Sequence, residues 1–195
     1  MSEIAAIVLA AGQGSRFGPE PKLLAPFEGK PLVRYVVEAA AVSSADPVIV
    51  VTGHRAGEIE AAVKDLPVRF VRNEASSDGL STSLKAGFAA LPAEAQAAIV
   101  LLGDMPLIAA ELIDDLIAAW EQHGRPMALI PIFEGRRGNP VVLSRNLGDA
   151  ILTLQGDAGA GSILRHHPGA VEWPLDNAAI VRDIDNADDL EALKS

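Results

Sequence analysis

The sequence predicts an α/β fold: three layers, with a mostly parallel sheet covered by helices on both faces and one small antiparallel hairpin. Two observations carry that expectation. Short apolar or β-branched runs alternate with longer stretches of helical period along nearly the whole chain, which is the pattern of strands joined by crossover helices. Near Glu134, by contrast, two apolar runs are separated only by a turn-like stretch, so that pair should run antiparallel.

Each element has its own reason. Ile4 to Leu9 is a continuous apolar run ending in glycines, as a strand buried on both faces does. Gly29 to Val42 carries Leu32, Val33, Val36 and Val37 at helical spacing, with Pro31 where a first turn tolerates it. Val48 to Thr52 is too short and too β-branched for a helix. Ala56 to Asp65 places Ile59 and Val63 on one face, and Val68 to Val71 repeats the strand pattern. Leu80 to Leu91 is helical through Leu84 and Phe88, with Asp78 and Ser81 available as caps. Ala97 to Leu102 is the most apolar strand, and Ile108 to His123 an amphipathic helix closed by Gly124. Met127 to Phe133 and Asn139 to Leu143 form the expected hairpin around Glu134 to Gly138. Short helices at Arg145 to Leu154 and Ala160 to His166, a strand at Ile180 to Ile184 and a helix at Asp188 to Lys194 complete the chain. Trp120 reads as core, and Trp173 falls in no expected element.

At 195 residues with no repeat, low-complexity tract or linker, one domain spanning 1–195 is expected. A net charge of −10 argues against a nucleic-acid or anionic-membrane partner, whose attraction needs a basic face. Zero cysteines remove disulfides, thiolate catalysis and cysteine-bound metals. With no basic leader ahead of the first apolar run and no run long enough to span a bilayer, a cytoplasmic protein is expected. The four histidines lack metal-ligand spacing and read as surface or helix-end residues.

Chemistry concentrates in Ile7 to Lys22, IVLAAGQGSRFGPEPK. Glycines after a strand let backbone N–H groups converge on an anion, and Arg16 and Lys22 add positive charge, so the stretch suits a phosphate chain. The spacing of Gly12, Gly14 and Gly18 is not the dinucleotide fingerprint, and no Gly-Lys-Ser/Thr triplet exists for an ATPase-type loop. Leu9, Ala10, Ala11, Gly12, Gly14, Arg16, Gly18 and Lys22 instead resemble L-x-A-G-x-x-x-R-x-G-x-x-x-K, the signature of the nucleotidyltransferases that make nucleoside-diphosphate sugars. Within that superfamily the chain resembles the molybdenum cofactor cytidylyltransferase and guanylyltransferase branch. The resemblance implies a Rossmann-like sheet of the nucleotide-diphospho-sugar transferase type.

Four further segments carry the resemblance. Gly103-Asp104-Met105-Pro106 follows a strand at the sheet's rim, where ligands of such sheets collect. Read alone, Asp104 is equally a turn aspartate or an Mg2+ ligand; the family's G-D-M-P element implies the ligand. Asp183 and Asp185 alternate on the expected last strand, although Asp185 or Asn186 equally caps the final helix. The family's D-I-D ending implies a second metal ligand there, with Asp185 preferred and Asp183 the alternative. Gly79 to Leu84 reads as an ordinary helix start; the resemblance places Gly79 and Ser83 against the nucleobase. Gly135 to Pro140 and Leu154 to Gly159 resemble branch segments lying over the acceptor, which implicates Arg137, Asn139 and Asp157. One hairpin arginine is expected simply to be solvated. The branch's arginine after Gly159-Ala160 is Gly161 here.

The implied activity is a Mg2+-dependent transfer of a nucleoside monophosphate from a nucleoside triphosphate to a phosphate monoester, with release of pyrophosphate. Arg16, Lys22 and Asp104 would be catalytic; Leu9, Ala10, Ala11, Gly12, Gly14, Gly79 and Ser83 would bind the nucleotide. Ala11, where guanylyltransferases of the branch have glycine, points to CTP first and GTP second. The implied acceptor is molybdenum-bearing molybdopterin, and a molybdenum enzyme is the partner the branch implies. A sugar or polyol phosphate acceptor, and a non-catalytic nucleotide-binding chaperone, are the alternatives.

Overall fold

The computed structural model describes residues 3–12, 14, 17 and 21–193, with the side chain of Ala187 excepted. Its strands in chain order are β1 (Ile4–Ala10), β2 (Pro26–Phe27), β3 (Lys30–Pro31), β4 (Val48–Thr52), β5 (Val68–Arg72), β6 (Ala97–Leu102), β7 (Ala128–Phe133), β8 (Arg136–Arg137), β9 (Val141–Ser144) and β10 (Ala170–Pro174). The helices are α1 (Leu32–Val42), α2 (Ala56–Val63), α3 (Leu80–Ala89), α4 (Ala110–Gln122), α5 (Gly148–Leu152), α6 (Ala160–Leu164) and α7 (Ala187–Ala192).

The main sheet has the order β10-β7-β9-β6-β1-β4-β5, with β8 paired to β7, and β2-β3 forms a separate ribbon. β6, β1, β4 and β5 are mutually parallel, as are β7 and β10, whereas β9 runs antiparallel between β6 and β7. The carboxyl ends of β1, β4 and β6 therefore open on one edge. Alternation divides β1 between two cores. Ile4, Ala6 and Val8 pack with α1, α2 and α4 on one face. Ala5, Ile7 and Leu9 pack with α3, α5 and α6 on the other. A third cluster joins Phe27 and Leu32 to Ile184 and Leu190, so the chain's last segment is anchored beside the β2-β3 ribbon.

Four expectations need correction. α1 begins at Leu32 rather than Gly29, because Glu28 (φ 44°) and Gly29 (φ 86°) make the β2-β3 hairpin turn. The single helix expected over Arg145 to Leu154 is a 3-10 turn at Arg145–Leu147, capped by the Ser144 hydroxyl, followed by the short α5. α3 has no side-chain cap: Gly79 holds the N-cap position, and the Ser81 hydroxyl is buried without a hydrogen-bond partner among the described residues. Finally, Ile180 to Ile184 is not a strand. Ala178–Val181 is a 3-10 turn, and the sheet edge beside β7 belongs to β10, which carries Trp173. The buried Ile180 and Ile184 act as anchors outside the sheet; their backbones bond to Asn139 and Asp104.

Candidate active site

A cavity of about 500 Å³ opens at the carboxyl edge of the parallel strands, lined by the end of β1, the turn after β6, the start of α3 and Asp185. This is where an open α/β sheet places its ligands. Its base is polar and charged. Lys22 Nζ lies 2.6 Å from Asp104 Oδ2 and 3.8 Å from Asp185 Oδ1. The Lys22 and Asp104 side chains are only 13% and 19% exposed, which sets this pair apart from the protein's solvated ion pairs. Asp104 Oδ1 is buried with no hydrogen-bond partner among the described residues. A buried carboxylate oxygen left unpaired is costly unless something binds it, so the atom marks a site for a cation or a donor.

Local chemistry explains the assembly. Asp104 stands in the turn after β6, and its carbonyl accepts from Ile184 N–H at 3.0 Å, which brings the last segment over the cavity. Asn186 then caps α7 in a reciprocal capping box with Asp189, fixing the chain direction immediately after Asp185. Asp183 is exposed and does not line the cavity. The alternation argument for it fails because the segment is not a strand, so it is not a candidate ligand, whereas Asp185 is.

The other expected nucleotide residues are placed as follows. Leu9, Ala11, Gly12, Gly14, Lys22, Gly79 and Ser83 line the cavity, while Ala10 is buried behind it in the opposite core. Gly14 is left-handed (φ 60°), and a Cβ there would stand 2.9 Å from Lys22 Cβ, so glycine is required for the close approach to the lysine. Arg16 and Gly18 lie outside the described residues. Gly79 (φ 108°) is packed on the loop after α5, where a Cβ would meet the Gly156 carbonyl carbon at 2.2 Å. Ser81 N–H donates to Gly156 O at 3.0 Å, and this seating carries Asp157 into the same cavity.

A second cavity of about 270 Å³ adjoins the first across Leu9, Leu80 and Leu102. It is mostly apolar, with Val100, Ile130 and Leu164 in its wall, and Arg137 and Asn139 at its polar side. Of the three expected acceptor residues it brings together two; Asp157 lines the first cavity. Arg137 is held by Glu172 of β10 at 2.7 Å, and Arg136 is exposed.

Ser76, Ser77 and Leu80 were not singled out in the sequence, yet they line the first cavity. The polar run Arg72 to Gly79 was the available signal, and composition does not say which of its hydroxyls turn inward. Among the described residues no group of three or more acidic or histidine side chains could hold a metal. Asp104 and Asp185, 2.6 and 3.8 Å from Lys22 Nζ, are two carboxylates that could hold a magnesium-like ion taking its remaining oxygens from phosphates and water. No described helix is long and apolar enough to cross a membrane.

Comparison with known proteins agrees with this geometry. Residues 6–171 match the family described as MobA-like NTP transferase domain. The chain is 32% identical over 163 residues to the bifunctional protein GlmU of Syntrophotalea carbinolica, covering 82% of this chain but only 34% of that protein. It is 32% identical over 180 residues to the nicotine blue oxidoreductase of Paenarthrobacter nicotinovorans, covering 87% of this chain and 85% of that one. Among solved structures, a nucleotidyl transferase from Methanothermobacter thermautotrophicus superposes with a TM-score of 0.82 at 27% identity, over 97% of this chain and 95% of the other. The chain belongs to the MobA-like NTP transferase family, and its fold is that of a nucleotidyltransferase.

Proposed function

We propose that the protein transfers the nucleoside monophosphate of CTP, with GTP second, to a phosphate monoester on a ring-bearing acceptor, most simply molybdopterin carrying molybdenum. The observation that carries the reading is the cluster at the base of the first cavity: one lysine within reach of two carboxylates, with a buried Asp104 oxygen that has no partner among the described residues. An acidic protein that buries a cation at the end of a glycine-bearing strand is organised for a polyanion.

The roles proposed rest on the sequence motif together with the cavity lining. Backbone N–H groups around Gly12 and Gly14, together with Arg16, would hold the β and γ phosphates. Lys22 would steady charge at the α-phosphate. Asp104 and Asp185 would hold Mg2+, which supplies charge neutralisation of the phosphate oxygens. An acceptor phosphate oxygen then attacks the α-phosphorus in line as the bond to the bridging oxygen breaks, and pyrophosphate leaves with that electron pair. The protein positions the reactants and stabilises charge, with no covalent intermediate. Ala11, buried on the cavity wall, narrows the base end toward a pyrimidine. The apolar second cavity, with Arg137 and Asn139 at its side, favours a flat ring over a polyol, whose hydroxyls would be left unpaired there.

Titration calorimetry with CTP, GTP, ATP and UTP, each with and without Mg2+, tests the donor half. Pyrophosphate release with molybdopterin and with sugar phosphates tests the acceptor half. The expected result is Mg2+-dependent binding of CTP ahead of GTP and turnover with the pterin. Binding without metal dependence points instead to a non-catalytic nucleotide carrier, and turnover with sugar phosphates alone reassigns the acceptor.

A further inference from the structure

The start of α3 contains a hydrogen-bond network whose polarity can be read without ambiguity. Asn73, 7% exposed, follows β5, and its backbone N–H donates to Thr52 O at 2.7 Å. Its Oδ1 accepts from Ala75 N–H at 3.1 Å. Because a backbone N–H can only donate, that bond fixes which amide atom is oxygen and which is nitrogen. Nδ2 therefore faces α3, where it lies 2.8 Å from Thr82 Oγ1 and 3.0 Å from Ser83 Oγ. Both amide protons are thereby used. Thr82 has carbonyl acceptors for its own proton, Ala75 O at 2.9 Å and Gly79 O at 2.8 Å. Ser83 differs: its oxygen accepts from Asn73, and among the described residues its proton meets no acceptor. Ser83 is 5% exposed and lines the first cavity.

We propose that Asn73 is a specificity-determining positioning residue: by donating to Ser83 it occupies one of the serine's two lone pairs and leaves the O–H proton as the group still without a partner among the described residues, which favours a nucleobase that offers an acceptor atom at that point. A carbonyl oxygen or an unprotonated ring nitrogen uses that proton, whereas an exocyclic amino group leaves it unused and meets only the remaining lone pair. The inference rests on the nucleotide reading above and adds the polarity of base recognition to it. Asn73→Asp tests it at nearly constant shape. A carboxylate still accepts from Ala75 N–H but cannot donate, so Ser83 must donate to it and turns lone pairs toward the ligand.

Calorimetry in the presence of Mg2+ should compare wild type, Asn73→Asp, Ser83→Ala and the double variant, using the tighter of CTP and GTP and, separately, inorganic tripolyphosphate, which has no base. Asn73→Asp should weaken the nucleotide by about tenfold or more, the cost of facing lone pairs with lone pairs. On the Ser83→Ala background it should add less than about threefold, because the two act as one unit. Tripolyphosphate affinity should be unchanged. Equal losses for nucleotide and tripolyphosphate, or full additivity of the two substitutions, overturn the role of Asn73. A wild-type protein that binds tripolyphosphate and nucleotide equally well rejects base recognition by Ser83. One that binds neither rejects the nucleotide reading itself.

Discussion

Replacing Lys22 by methionine separates the ion pairing seen in the structure from the charge stabilisation proposed for the same ammonium group. At 2.6 Å from Asp104 Oδ2 the direct attraction is about 6 kcal/mol at an effective dielectric of about 20, before the desolvation that offsets most of it. Breaking a fully buried pair costs about 3 to 5 kcal/mol; with one flank open to the cavity, about 1 to 3 kcal/mol is expected. For a chain of this length that lowers Tm by about 2 to 12 °C in EDTA. Methionine also removes the cation that competes with a divalent ion at Asp104, so saturating MgCl2 should raise the variant's Tm more than the wild type's; metal at about 100 times its Kd contributes roughly 2.7 kcal/mol. Turnover should nevertheless remain low, down about 30- to 1000-fold, because transition-state charge has lost its partner. Thermal melts with EDTA and with MgCl2, plus pyrophosphate release, read all three effects. A variant that melts like wild type in both buffers would refute the description of Lys22 as the cation between Asp104 and Asp185.

Gly79→Ala puts a Cβ against the Gly156 backbone at a φ of 108°, so we expect a loss of at least about 1 to 3 kcal/mol in a denaturant titration. The altered seating of Asp157 should weaken nucleotide binding at the same time. Ala11→Gly enlarges the base end of the first cavity and should shift a CTP against GTP competition toward GTP; an unchanged ratio would move base selection to Ser83 and Gly79. Asp65 titrates at about 2 instead of 3.8, chiefly through its hydrogen bonds with Arg34. A depressed folded value means its contribution is fully present above 3.8 and is lost as pH falls toward 2. Arg34→Ala should return the midpoint toward 3.8 by carboxyl NMR and remove that part of the acid sensitivity.

Much of this molecule was legible because strand-end chemistry is local. The run from Ile4, the break at Gly12 and the pairing of an apolar strand with Gly103-Asp104 announce parallel strands with a cavity at their carboxyl ends. The distal elements were harder to read. Ile180 and Ile184 have strand-like composition, but Ile180 is buried in the core with β1 and α4 and Ile184 beside the β2-β3 ribbon, and only tertiary context separates this from a strand. β10 fell in no expected element; its Pro174 is unlike an interior strand residue, although on an edge the missing N–H costs nothing. Within the site, sequence left Asp183 and Asp185 as alternatives; the Ile184 bond to Asp104 and the Asn186 cap bring Asp185, and not Asp183, to the cavity wall. Asn73 gave no signal at all, since a lone asparagine after a strand reads as a turn residue until its two serine-threonine partners are seen.

The central claim is phosphoryl chemistry at Lys22, Asp104 and Asp185, and its most direct test follows the α-phosphate of CTP. With α-labelled CTP, Mg2+ and molybdopterin carrying molybdenum, the account predicts that label appears in the acceptor in equal amount to the pyrophosphate released, and that Asp104→Asn and Asp185→Asn each suppress both. Free labelled CMP without labelled acceptor, or no pyrophosphate from any of the four nucleotides with the pterin or with sugar phosphates, would contradict it.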